Sequence, residues 1–359
     1  MRVLELPADS TPRERGRLHG EMFAGEIRSL AELRTYLTRT VGNFASDEQV
    51  LDLAARHMPV LEAFDRDLHQ ELLGIAEGSG ATPAQIVVLN HYTDLRDLDA
   101  SGDARGTSQT DDGCTVVYAR TSSGPVLAQT WDMHATAMPY MLMLRTPCGG
   151  GEAWLLSLTG CLGMTGISST GVAVAINNMH SRDAKIGVVW SALVRKALSC
   201  DGAAAARDIV LEGNVGSGHH YLVADAGSAY AIETSGHKRK VVYRSTDSDW
   251  FVHTNHCIDN EIGACSRVPD GSSTFDRLKS MVNSVEQRAI VDVRDAYDRL
   301  GSHDGYPRSV CTNMATAEHP HAPATCAAVA YDISTGEVLA VAGFGHNVEP
   351  TRFSVAVKS

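Results

Sequence analysis

The stretch 111–133, DDGCTVVYARTSSGPVLAQTWDM, carries the residues whose types and spacing suit chemistry. Cys114 follows Gly113 at the end of a polar segment and opens a run of strand-forming residues. If the chain is cut between the two, Cys114 gains an α-amine beside its thiol. An α-amine with an ordinary pKa of about 7.7–8.0 serves as a base near neutrality, so nucleophile and base then sit on one residue. Before the cut, the same sulfur can attack the Gly113 carbonyl, and glycine tolerates the backbone angles a strained scissile loop requires.

The elements that must position this residue are legible as texture. From 97 to 113 the chain reads DLDASGDARGTSQTDDG, which has the composition of an easily cleaved surface loop. After Cys114 come short apolar runs at 114–119, 125–133, 140–144, 153–158 and 166–177, with the clearest turns at 122–124 and 169–171, and these predict an antiparallel sheet. Helical spacing follows at 188–198 and 202–211, then strands at 220–224, 229–234, 241–243 and 250–253, helices at 272–283 and 285–300, and a hairpin of 325–331 with 338–342. Residues 1–95 read as mainly helical after a strand at 3–6, with apolar stripes over 16–33 and 47–77, a break at 78–80 and a restart at Thr82-Pro83. The order predicts an α+β architecture of layered sheets covered by helices.

Composition narrows the function. The 359 residues are 43% hydrophobic and 21% charged, as in an ordinary globular protein, and the net charge of −12 disfavours a nucleic acid or an anionic membrane as partner. No apolar run suits a signal peptide or a bilayer span, so a cytoplasmic location is expected. The eight cysteines form no CxxC pair and are expected to be reduced. His253, His256, Cys257 and Cys265 invite a metal reading, but HxxH on a strand end points its side chains apart and the cysteine spacing fits no zinc pattern; no metal and no cofactor are expected. His219-His220, His319 and His321 read as surface or packing residues. Gly149-Gly150-Gly151 lacks a following P-loop lysine and reads as a hairpin turn. The stretch 140–143, YMLM, suits either an acyl pocket or core.

Taken singly, Cys114 could be a buried structural thiol, Asp132 a turn cap and Asn255 a loop-closing residue. Together with Gly113-Cys114-Thr115, the Trp131-Asp132 pair, GxxxxGxxxxxNN at 166–178 and HTNH at 253–256 form a pattern, joined by GRLHG at 16–20 and ELLGIAEGSG at 71–80. This pattern spans most of the chain and resembles the peptidase C45 family, which includes acyl-CoA:6-aminopenicillanate acyltransferases and β-alanyl amide hydrolases. The resemblance implies an N-terminal nucleophile hydrolase fold of four αββα layers, two antiparallel sheets between helix layers. It also implies self-cleavage at Gly113-Cys114 into a mainly helical fragment, 1–113, and a fragment, 114–359, that stay one folded domain.

By matching positions, Cys114 is the nucleophile, Asp132 orients it and its amine, and Asn255 gives a side-chain amide to the oxyanion hole. Gln129, Trp131 and Asn177 are implied as pocket positions. The implied activity is hydrolysis of a small linear amide through a thioester on Cys114. The alternative is transfer of an acyl group, with acyl-CoA as donor, to an amine such as a β-lactam nucleus, and the alternative of another class is a binding protein that kept the fold and lost its site. One departure stands out. The family often carries an arginine after an Ile-Cys pair late in the chain, where this sequence has Val310-Cys311-Thr312; Arg308 and Arg267 are the candidates to replace it.

Overall fold

The computed structural model describes residues 1–105, 113–343 and 348–358. In chain order the elements are β1 (Val3–Glu5), α1 (Pro12–Met22), α2 (Ala24–Gly42), α3 (Asp47–Ala55), α4 (Met58–Phe64), α5 (Arg66–Ser79), α6 (Pro83–Leu95), β2 (Val116–Thr121) and β3 (Gly124–His134). Next come β4 (Met141–Cys148), β5 (Gly151–Leu158), β6 (Thr165–Ser168), β7 (Ala173–Ser181), α7 (Trp190–Leu198), α8 (Ala203–Glu212), β8 (Gly218–Ala224), β9 (Ala229–Thr234), β10 (Arg239–Arg244) and β11 (Trp250–His253). The chain ends with α9 (Asn260–Gly263), β12 (Ser266–Arg267), α10 (Thr274–Gln287), α11 (Val293–Leu300), β13 (Pro323–Asp332), β14 (Glu337–Ala342) and β15 (Thr351–Ser354).

Two sheets form. The larger runs β1-β4-β5-β6-β7-β8-β9-β10 with β12 paired to β7, and the smaller runs β11-β2-β3-β13-β14-β15. All pairings are antiparallel except that of β1 with β4, an exception to the all-antiparallel expectation.

The layering follows from which side chains share a core. In the smaller sheet Val116, Tyr118, Leu127, Trp131, Val329 and Tyr331 join the core shared with the larger sheet and helices α1–α8. Their neighbours Val117, Ala119, Val126, Ala128, Ala328 and Ala330 join a second core with Met281, Val285, Ala296 and Leu300 of α10 and α11. Successive strand residues face opposite ways, so the smaller sheet is covered on both faces and its inner strands β2, β3 and β13 are buried along almost their whole length. The result is the four-layer αββα sandwich that the resemblance implied.

Some expected boundaries move. The stripe over 47–77 divides into α3, α4 and α5, 166–177 divides into β6 and β7 around the turn at 169–171, and the helix expected at 285–300 begins only at Val293. The 97–113 loop is not at the surface where it starts: Asp97 is buried, accepting from the Ser181 N–H at 3.1 Å and the Ser217 hydroxyl at 2.6 Å. Its later part, 106–112, lies outside the described residues. Met141, Leu142 and Met143 are fully buried in the main core.

The GRLHG and ELLGIAEGSG motifs bring α1 and α5 into backbone contact. A Cβ on Gly16 would lie 1.9 Å from the Glu71 carbonyl oxygen, and one on Gly78 would lie 2.1 Å from that of Arg17. Gly16→Ala is therefore expected to push the helices apart and destabilise the protein by about 2 kcal/mol or more, read as a lower urea midpoint. Gly25→Ala, where an added Cβ meets nothing within 4 Å, is expected to leave the midpoint unchanged or raise it by up to about 1 kcal/mol.

Candidate active site

The turn between β2 and β3 sets the geometry. Thr121 pairs with Gly124, and the register runs without a bulge to Val116 opposite Gln129. Continued past the strand end, it brings Gly113 opposite Asp132 as an isolated bridge. A one-residue slip would turn the inward set outward, so the spacing from turn to Gly-Cys and from turn to Asp is what unites them. Thr115 and Thr130 secure the step between, with Thr130 N–H donating to Thr115 O and Thr115 N–H to the Thr130 hydroxyl, each at 3.0 Å.

The Gly113–Cys114 peptide is held through hydrogen bonds on both of its residues. The Asp132 N–H donates to the Gly113 carbonyl oxygen at 2.8 Å. The Cys114 N–H donates to Asn255 Oδ1 at 2.8 Å, and the Cys114 carbonyl accepts from Asn177 Nδ2 at 3.0 Å and from Arg277 Nη1 at 2.7 Å. Gly113 does not have the left-handed φ that a strained glycine would show. It is glycine for space: a Cβ there would lie 2.8 Å from Asp132 Oδ2 and 3.1 Å from Arg277 Nη2.

An arginine that the sequence did not single out, Arg277, reaches this peptide. It rises from the first turn of α10, 1% exposed, and its Nη2 donates to Asn255 Oδ1 at 2.8 Å while Nη1 also reaches the Thr115 hydroxyl at 3.2 Å. Its Nε is tied to the Ser273 hydroxyl at 3.0 Å. Neither expected substitute arrives: Arg308 bonds Asp276 and the carbonyls of Gly271 and Ser272 at the surface, and Arg267 lies in β12 opposite His180. Thr312 is turned to the Pro307 carbonyl. Cys311 beside it has its thiol pushed up to about 11, first by burial and then by the charge of Asp132.

The other expected residues are placed as follows. Asn255 spends Nδ2 on the Asn178 carbonyl at 2.9 Å, so in the uncut chain its oxygen, not its amide, faces the cysteine. Asn177 does not line the cavity beside Cys114; its Oδ1 accepts from His220 Nδ1 at 2.7 Å and His253 Nδ1 at 3.1 Å, and His253 Nε2 meets the buried Glu233 at 2.9 Å. Gln129 is likewise no pocket residue. Fully buried, it bridges the two sheets, donating to Ile176 O at 2.7 Å and accepting from Ile176 N–H at 3.0 Å. Trp131 does line the cavity.

That cavity offers about 350 Å³ of space including its mouth, and Cys114, Asp132, Trp131, Ile176, Trp190 and His219 border it. The larger surface hollow around Asp276 and Arg308 is lined by no cysteine. His219 and His220, expected at the surface or in packing, are 1% and 0% exposed because β8 is an interior strand, and alternation sends the first to the cavity and the second to Asn177. Among the described residues no group of His, Cys, Asp or Glu could hold a metal ion.

A cysteine at the threshold of an inner strand, held through its own backbone between two stacked sheets under helix layers and bordering a cavity, makes a candidate thiol site. The chain belongs to the acyl-coenzyme A:6-aminopenicillanic acid acyl-transferase family, whose profile matches residues 119–342, taking in Asp132, Asn255 and Arg277. It is 28% identical over 318 residues to the acyl-coenzyme A:6-aminopenicillanic-acid-acyltransferase 40 kDa form of Emericella nidulans, covering 86% of this chain and 84% of that one. Among solved structures it is similar to a conjugated bile acid hydrolase of Clostridium perfringens, with 10% identity, 67% of this chain and 92% of that chain covered and a TM-score of 0.44. It is also similar to penicillin V acylase of Agrobacterium tumefaciens, with 11% identity, coverage of 67% and 84% and a TM-score of 0.36.

Proposed function

We propose that this chain is a self-activating cysteine amidase, cut between residues 113 and 114 into two fragments that remain one domain. The observation that carries the proposal is the convergence on one peptide: the Asp132 N–H on the Gly113 carbonyl oxygen and Asn255 on the Cys114 nitrogen, both at 2.8 Å. Cys114 Sγ attacks the Gly113 carbonyl carbon, negative charge gathers on the oxygen held by Asp132 N–H, and the C–N bond breaks to leave a thioester and the Cys114 amine. Water then releases the Gly113 carboxylate and the thiol.

Turnover reuses these parts. The α-amine takes the thiol proton, the thiolate adds to a substrate amide, and the oxyanion occupies the place of the Gly113 oxygen, where one such donor is worth about 10²–10³ in rate. The protonated amine gives its proton to the departing amine, and water cleaves the acyl thioester. Asn255 Oδ1 holds the amine in line, and Arg277, bonded to that same oxygen and to the Cys114 carbonyl, favours the neutral amine and the thiolate through its charge. The binding-protein alternative drew on the arginine absent at Thr312, and Arg277 removes that support.

Acyl transfer is the second reading, favoured by the activity in the family's name and in the Emericella relative's. A transferase must seat an acceptor amine beside the thioester, whereas a hydrolase needs only water at that step. Products formed from butanoyl 4-nitroanilide, with and without 6-aminopenicillanate, test the choice. Butanoate in both cases is the expected result; an acylated β-lactam at the expense of butanoate would reassign the protein as a transferase, and no amide turnover at all would overturn the proposal.

A further inference from the structure

Two residues that border the cavity carry polar ring atoms that the chemistry above does not use. His219 is 1% exposed, and its Nε2 lies 2.8 Å from Asp94 Oδ1, yet its Nδ1 has no hydrogen-bond partner among the described residues. Trp190, whose ring centroid is 6.0 Å from that of His219, is 7% exposed and its Nε1 is likewise without a partner. Both border the same cavity as Cys114. Buried polar atoms are nearly always satisfied, and leaving one unpaired costs about 1–3 kcal/mol, so two at one cavity wall mark a place built to be filled.

The hydrogen-bonding pattern tells what fills it. Asp94 Oδ1 faces His219 Nε2 and a carboxylate accepts an N–H there, so with the ring's proton on Nε2 the Nδ1 atom presents a lone pair, while an indole N–H only donates. The matching ligand group donates to one and accepts from the other. A carboxamide or hydroxyl does both; an alkyl group does neither and a carboxylate cannot donate.

The side of the reaction is also fixed. Gly113 borders this cavity, and its carbonyl carbon is the first that Cys114 acylates itself with in the proposed maturation, so a substrate's acyl carbon takes that position and its acyl chain extends into the cavity. Resting on the amidase reading, we propose that Asp94, His219 and Trp190 form a polar anchor for the far end of a short acyl chain that terminates in a neutral carboxamide or hydroxyl group.

Three nearly isosteric 4-nitroanilides test this: succinamoyl, 4-methylpentanoyl and succinyl. The processed wild-type protein is expected to favour the succinamoyl over the 4-methylpentanoyl compound by at least about tenfold in kcat/KM, since sites that hydrogen-bond a substrate group discriminate strongly against its apolar analogue. His219→Phe is expected to collapse that ratio towards one, and Trp190→Phe, which keeps an aromatic ring in place and deletes only the donor, to lower it as well should the first variant fail to fold. Equal rates on the neutral pair, a preference for the succinyl anion, or an unchanged ratio in both variants would overturn the anchor alone. Failure of all three compounds to acylate Cys114 would overturn the amidase reading and the anchor with it.

Discussion

Cys114→Ala is expected to persist as one uncut chain of 38.4 kDa and to lose at least about 10⁴ in turnover, the scale on which removal of a covalent nucleophile falls. Both losses follow from a single deletion because, in the mechanism proposed above, the same sulfur performs the first acyl transfer on Gly113 and every later one on substrate. The surroundings are expected to survive: the Cys114 backbone keeps its bonds to Asn255, Asn177 and Arg277, none of which involves the thiol. The variant therefore folds with near wild-type thermal stability while remaining joined, which mass spectrometry and a melting curve establish together. A variant that still divides between residues 113 and 114 would assign the cut to another group.

Arg277→Met carries the second large effect. It removes donors to the Cys114 carbonyl, the Thr115 hydroxyl and Asn255 Oδ1 and keeps the Asn177 bond to that carbonyl. The rate of self-cleavage and kcat are each expected to fall by about 10²–10³. Arg277→Lys recovers only part of this, because an ammonium cannot span the carbonyl and the amide oxygen as a planar fork does. A pH profile separates positioning from mere structure. A cation near the Cys114 amine favours its neutral form, so removing the charge raises the amine's pKa and moves the acid limb of kcat/KM upward, by about one unit. The Asp132 carboxylate near Gly113 acts in the opposite sense and becomes the dominant local charge. A variant that loses stability but keeps the wild-type pH profile and processing rate would reduce Arg277 to packing.

What the sequence made legible depended on locality. Gly113, Cys114 and Asp132 are joined by one tight hairpin, so the spacing on either side of a turn suffices to place them. Asn255 came from the family pattern at 253–256, but which of its two side-chain atoms faces Cys114 depends on Asn178 in another sheet. Arg277 was missed although it left a trace: Thr274, Arg277, Met281 and Val285 are the buried face of α10, and an arginine on an apolar stripe has to meet a buried polar partner. Here the partner comes from residues distant in sequence. For His219-His220 the sequence leaves surface and packing both open; because β8 is an interior strand, its two faces become two different buried networks. Gln129 was expected in the pocket and instead joins the sheets, since a strand residue's face does not tell how far its side chain lies from the cavity.

Cys114 is proposed to work as an N-terminal nucleophile, and terminal sequencing with intact mass of the purified, catalytically active protein tests this. Two chains that co-purify are expected, one ending at Gly113 and the other beginning with a free α-amine on Cys114; a fully active protein whose Gly113–Cys114 peptide is whole would overturn the proposal.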